Sequence, residues 1–157
     1  MVAQQTANWE KTEAFDKTEA ILQANPELDG IICGNDTMLE GAVAACEAAG
    51  KNIPVIGVDG SDEAAALIKD GKATGTALQQ FALMAEMAVE QADAYLKDGI
   101  TGLDEKQLVD CIAITADNVD NLKTFVYTEG GAEAAEDTAE AETEDAGAEE
   151  TTEGAAE

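Results

Sequence analysis

Residues 31–80 read IICGNDTMLEGAVAACEAAGKNIPVIGVDGSDEAAALIKDGKATGTALQQ, and this stretch decides the fold. It opens on an apolar run ending at Cys33, and a second, IPVIGV, fills Ile53–Val58. Both are rich in β-branched residues and continuous rather than alternating, the pattern of strands buried on both faces. Between them, from Asn35 or Asp36 to Ala49, Met38, Leu39, Ala42, Val43 and Cys46 recur at helical spacing, and Gly50 ends the helix. Asp62–Asp70 predicts a short helix stopped by Gly71, and Thr74–Leu78 a third strand.

The alternation continues outward. Lys11–Ala24 carries Ala14, Phe15, Thr18, Ile21 and Leu22 on one stripe, and Asn25-Pro26 ends that helix because a residue before proline is forced out of the helical region. The first strand is expected over Leu28–Cys33. After the third strand, Phe81–Lys97 predicts the longest helix, closed by Gly99, and Gln107–Thr115 a last strand. A short coda over 117–127 carries Val119, Leu122, Phe125 and Val126. Repeated strand–helix alternation with apolar strands predicts an α/β fold, a parallel sheet with helices on both faces.

Composition narrows the function. The 157 residues hold 34 acids against 8 basic residues, all lysine, for a net charge of −26, with no histidine. Twelve of the acids fall in the Gly/Ala/Thr/Glu run from Glu129 to the end, which has no basic, aromatic or branched aliphatic residue. Such a run cannot bury enough apolar surface to offset the entropy of ordering. The chain therefore divides into a folded unit over 1–127 and a disordered acidic tail over 128–157. The acidic balance excludes nucleic acid and anionic membrane surfaces as partners. Without histidine or arginine the chain lacks the commonest general base and metal ligand and the best anion clamp, which speaks against an enzyme. No metal or cofactor site is expected. Cys33, Cys46 and Cys111 sit in apolar contexts without CxxC spacing and read as buried thiols. No run approaches the length of a membrane span, and MVAQQTANWEK has no signal-peptide pattern.

In parallel sheets ligands bind beyond the carboxyl ends of the strands. Gly34-Asn35-Asp36 follows the first strand, Asp59-Gly60-Ser61 the second and Gln79-Gln80 the third, while Asn8-Trp9 precedes the first helix. Trp9, Asn35, Asp59 and Gln79 thus offer an aromatic ring, a carboxylate and two amides to one edge, a set suited to a neutral polyol. Each has a plainer reading. Asn35 or Asp36 can be a helix N-cap, Asp59-Gly60 a turn, Gln79 a solvated helix start and Trp9 core packing.

The 31–80 stretch resembles the second half of type I periplasmic sugar-binding proteins, the ribose and glucose/galactose receptors of ABC transporters. The shared features are Asn-Asp after a strand, a Met-containing helix with Gly-Ala, and Ile-Pro-Val-Ile-Gly-Val-Asp-Gly. TANWEKTEAFDKTEAIL and ITADNVDNL extend the similarity to about residues 2–125. The resemblance implies that Asn35, Asp59 and Gln79 hydrogen-bond sugar hydroxyls and that Trp9 stacks on the ring, leaning towards a hexopyranose over ribose. Asp36 is expected to cap its helix or support Asn35. The resemblance further implies a periplasmic or extracytoplasmic location and an ABC-transporter permease as partner. It also implies that the N-terminal lobe, with the first strand and helix of the C-terminal lobe, is missing from this chain. Helix 81–97 would then expose Phe81, Met84, Ala88, Ala92 and Tyr95, a face for self-association or for a partner.

The alternative is the effector domain of a LacI-type regulator, which shares this fold and the Asn-Asp-Met stretch. Those proteins usually carry extra residues after Ile-Pro and an Asp-Asp, whereas here IPVIGVDG is tight and no basic helix-turn-helix is present. An enzyme using Asp36 or Asp59 as base lacks a partner acid, metal ligands or a histidine.

Overall fold

A computed structural model describes residues 1–129; the acidic run beyond them, expected as a tail, lies outside the described residues. Among these residues the order is α1 (Lys11–Ala24), β1 (Ile31–Ile32), α2 (Asp36–Ala48), β2 (Val55–Asp59), α3 (Asp62–Lys69), β3 (Gly75–Leu78), α4 (Phe81–Asp98) and β4 (Ile112–Thr115). A 3-10 turn at Val119–Asn121 and a small hairpin, β5 (Leu122–Lys123) and β6 (Val126–Tyr127), follow.

The strands form one sheet in the order β1-β2-β3-β4. The first three are parallel, pairing Ile31 with Val55 and Gly57 with Thr76. The last runs antiparallel to β3, pairing Leu78 with Ile112 and Thr76 with Ile114, so the sheet is mixed where an all-parallel one was expected. The reason is connectivity: β3 exits into the 18-residue α4, and the chain re-enters the sheet at the end where β3 left it, Ile112 opposite Leu78. Only the last four residues of the expected 107–115 strand find a partner, and Cys111, just before β4, is exposed while Cys33 and Cys46 are buried.

The α/β expectation holds, and burial shows where the packed helices lie. Val55, Leu78 and Ile114 are each 1% exposed and share one face of the sheet with Gly57 and Thr76, packed against Leu39 of α2 and Ala64 and Ile68 of α3. Full burial of each large aliphatic side chain stabilises the fold by about 1.5–3 kcal/mol. On the opposite face Ile32 is 84% and Ile56 38% exposed. Among the described residues β1 has no strand paired on its outer side. Helix α1 reaches the core through α2. A Cβ on Gly41 would run into the Lys11 carbonyl oxygen, so glycine lets the two backbones touch, and Lys11 Nζ meets Glu40 Oε2 at 2.6 Å.

Helix α4 ends at Gly99, whose left-handed φ of 74° stops it. None of its residues is buried; of the expected stripe Phe81, Ala88, Ala92 and Tyr95 are exposed and Met84 is half-buried, and Leu83, Val89 and Leu96, outside that stripe, are exposed as well. The 122–127 hairpin folds back on α3: the Thr124 amide donates to Asp62 Oδ1 at 2.7 Å, and Phe125 meets Phe81 edge to face at 5.6 Å.

Candidate functional site

Three parallel strands end at the same rim, and the residues that follow them set up the site. At the end of β1 the Asn35 Oδ1 accepts from the Met38 amide at 2.8 Å, capping α2. The cap uses only the oxygen. Nδ2 reaches towards the Trp9 carbonyl at 3.5 Å, the limit of a hydrogen bond, and so remains a donor for a ligand. Helix capping and ligand contact are therefore compatible in one residue.

Trp9 is not core. It is 66% exposed, and its six-membered ring lies against Gly34, where a Cβ would sit 3.1 Å from Cζ3. Asn8 and Trp9 hold φ of 49° and 66°, a left-handed pair that turns the chain into α1, with the indole against Gly34 and the Trp9 carbonyl facing Asn35. Each non-glycine residue there costs about 1 kcal/mol. The Asn8 side chain steadies the corner by donating to Glu13 Oε2 at 2.8 Å.

At the ends of β2 and β3, Gln79 Nε2 donates to Asp59 Oδ1 at 2.8 Å, and the Gln79 amide to the Asp59 carbonyl at 3.1 Å. Asp59 is partly buried and holds φ of 133°, a region that a non-glycine residue enters only when its surroundings impose it. Its Oδ2 and the Gln79 Oε1 are left as acceptors. The structure thus brings the four expected residues to one rim as two pairs, Trp9 with Asn35 and Asp59 with Gln79.

Asp36 does something the sequence reading missed. It neither caps α2 nor bonds Asn35. Only 2% exposed, it accepts at Oδ2 from the amides of Gly60 (2.9 Å) and Ser61 (2.8 Å), and at Oδ1 from the Thr76 hydroxyl (2.7 Å). Burial pushes its carboxyl above the usual range, against the lowering effect of these hydrogen bonds. Two glycines make the arrangement possible. A Cβ on Gly57 would collide with Asp36 Oδ1, and Gly60, at φ 86°, sits flat against Leu78. A sequence signal did exist: Asp36 precedes Leu39 by three and Val43 by seven, which puts a carboxylate on the apolar stripe of α2.

Gln80, the neighbour of Gln79, donates from Nε2 to the Asp110 carbonyl at 2.7 Å. A cavity of about 640 Å³ lies elsewhere, between Met1–Gln5 and the outer edge of β1, and touches none of the four rim residues.

Comparison with known proteins supplies context for this rim. The family model described as periplasmic binding protein domain matches residues 1–100. The D-apiose import binding protein of Actinobacillus succinogenes is 51% identical over 127 residues, covering 80% of this chain and 41% of the relative. The D-allose-binding periplasmic protein of Escherichia coli is 36% identical over 121 residues, covering 73% of this chain and 39% of the relative. Among solved structures, an ABC transporter periplasmic solute-binding protein from Actinobacillus succinogenes with bound D-allose superposes with a TM-score of 0.71 at 35% identity, covering 77% of this chain and 43% of that one. The Caulobacter myo-inositol binding protein bound to myo-inositol gives 0.67 at 34%, covering 76% and 41%. The chain spans about two fifths of the length of these relatives.

Proposed function

We propose that this chain, which belongs to the periplasmic binding protein domain family, carries one wall of a sugar-binding cleft in a solute receptor of an ABC-type importer. The observation that carries the reading is the rim itself: an exposed indole against Gly34, a half-free amide on the next residue, and a carboxylate–amide pair at the ends of the two neighbouring strands. Trp9 stacks on the apolar face of the sugar ring. Asn35 donates from Nδ2, and Asp59 and Gln79 accept from hydroxyls through Oδ2 and Oε1. A neutral ligand suits a chain with a net charge of −26, which would repel anions. The ligand class is a monosaccharide or related polyol, in line with relatives named for D-apiose and D-allose.

The relatives named above are import or sugar-binding proteins, which favours a receptor over a LacI-type regulator. In this reading the chain binds without catalysing, works outside the cytoplasm and presents its loaded form to a membrane permease. Residues 1–127 form the binding unit and 128–157 an acidic spacer. The exposed face of α4, with Phe81 and Tyr95, is where a partner or a second copy packs.

An NMR titration of the labelled chain with millimolar D-apiose, D-allose, ribose and glucose tests the site. The expected result is a saturable shift of the Trp9 indole and of the Asn35 and Gln79 side-chain amides with one or more sugars, lost in Asp59→Ala. No response at these groups to any of the four would overturn the reading.

A further inference from the structure

We propose that Asp36 is a positioning residue for the candidate site: its buried carboxylate fixes the Gly60–Ser61 backbone and thereby aims the Asp59 side chain into the cleft. The inference rests on the sugar-binding reading for what Asp59 does, but on geometry alone for what Asp36 does.

Asp59 holds φ of 133°, which its own chemistry disfavours. On its N-terminal side the β2–β3 ladder fixes the chain, pairing Asp59 with Leu78. On its C-terminal side the next two amides, Gly60 and Ser61, both donate to one oxygen of Asp36, at 2.9 and 2.8 Å. A carboxylate that accepts from two successive amides clamps the turn in a single orientation, and charge-assisted bonds of this kind are about twice as strong as neutral ones. The other oxygen takes the Thr76 hydroxyl from β3, three residues before Gln79. One side chain thus joins the start of α2, which carries Asn35, to the Asp59 turn and to the strand leading into Gln79. Without it, residue 59 can relax about its N–Cα bond towards negative φ and carry its carboxylate, with the Gln79 contact, away from the rim. None of the four rim residues can hold Asp59 this way, because Gln79 touches only its side chain and carbonyl.

Asparagine should serve nearly as well as aspartate here. Its oxygen can accept from both amides while its NH2 donates to the Thr76 oxygen, which is free to turn. Alanine cannot. The test compares Asp36→Ala, Asp36→Asn and Thr76→Val with Val43→Ala, a core truncation on the same helix at a residue 3% exposed. Amide hydrogen exchange at Gly60 and Ser61, the thermal midpoint, and D-allose affinity by NMR titration are read for each.

Both Asp36→Ala and Val43→Ala should lower the midpoint. Only Asp36→Ala should strip protection from the Gly60 and Ser61 amides, well beyond the global change, and weaken D-allose binding by about tenfold or more, the cost of a misaimed charged acceptor. Asp36→Asn should restore both, and Thr76→Val should fall between. Should Asp36→Ala not fold, Thr76→Val is read at Ser61, whose amide bonds Asp36 and not Thr76, whereas the Gly60 amide also reaches the Thr76 hydroxyl at 3.3 Å. Unchanged protection at Gly60 and Ser61 in Asp36→Ala or Thr76→Val overturns the proposal. So does an equal loss of affinity in Val43→Ala. If the wild-type chain binds no sugar, the sugar reading fails while the exchange data still decide whether Asp36 holds the turn.

Discussion

Replacing Gly57 with alanine should damage the protein through a residue it is not bonded to. A methyl at position 57 would point into Asp36 Oδ1 and lie 3.2 Å from the Leu39 Cβ. Leu39 is fully buried and Asp36 nearly so, so neither can swing into solvent. The carboxylate must shift off its three donors, the amides of Gly60 and Ser61 and the Thr76 hydroxyl. Hydrogen bonds to a charged group contribute about 1.5–3 kcal/mol each and overpacking costs about 1–3 kcal/mol, so partial loss of the cluster should cost on the order of 3 kcal/mol. For a domain of this size that is roughly 10 °C in thermal midpoint. Urea unfolding followed by circular dichroism gives the number, and a double-mutant cycle assigns it. In an Asp36→Ala background the methyl has room, and Gly57→Ala should cost less than about 1 kcal/mol, a coupling of about 2 kcal/mol. Equal costs in the two backgrounds would refute the reasoning, because the clash would then lie elsewhere.

Three further outcomes follow from burial and exposure. Burial pushes the Cys33 thiol up to about 12, and Cys46 is also raised, while Cys111 is exposed; a thiol reagent at pH 8 should titrate one cysteine in the native chain and three in denaturant. Asp36 has a carboxyl raised above its ordinary 3.8, so its contribution is complete below that value and is lost as pH rises towards the folded value. Wild type should therefore lose stability relative to Asp36→Asn from about pH 4 upward, by at most about 1.4 kcal/mol per pH unit before levelling off; a gap that narrows with rising pH contradicts this. Trp9→Ala should leave stability within about 0.5 kcal/mol, since the ring is exposed, yet abolish the sugar-induced shifts at Asn35. A large stability loss would make Trp9 a packing residue instead.

How much of this was legible in advance varied with the range of the interactions involved. Helix α1 appears where the stripe and the Asn25-Pro26 stop put it, and α2 and α3 begin and end within a residue of expectation, because caps and periodicity are local. Strand extent was not legible. Leu28–Gly30 and Gln107–Cys111 read as strand by composition, yet only Ile31–Ile32 and Ile112–Thr115 pair, since pairing depends on what lies alongside. The direction of β4 was equally hidden, because an apolar run carries no mark of polarity. At the rim, Asn35, Asp59 and Gln79 were legible because each follows a strand, whereas Trp9, which precedes a helix, was singled out as the one large ring and by the family resemblance. The role of Asp36 did not, since its bonds span 24 to 40 residues of sequence. Its place on an apolar helix stripe was the one local sign.

The outer side of β1 has a consequence for how the molecules behave in a crowd. The Ile31 and Cys33 amides point inward to the Pro54 and Ile56 carbonyls, so the Ile32 peptide group between them faces outward with no strand among the described residues to meet it. Such a margin is a template on which another chain can crystallise its own backbone, and here an exposed isoleucine stands beside it. Long-range repulsion between chains that each carry a formal net charge of −26 opposes such pairing. Concentrated salt or mild acid, which shield or discharge the carboxylates, should therefore favour pairing at this edge.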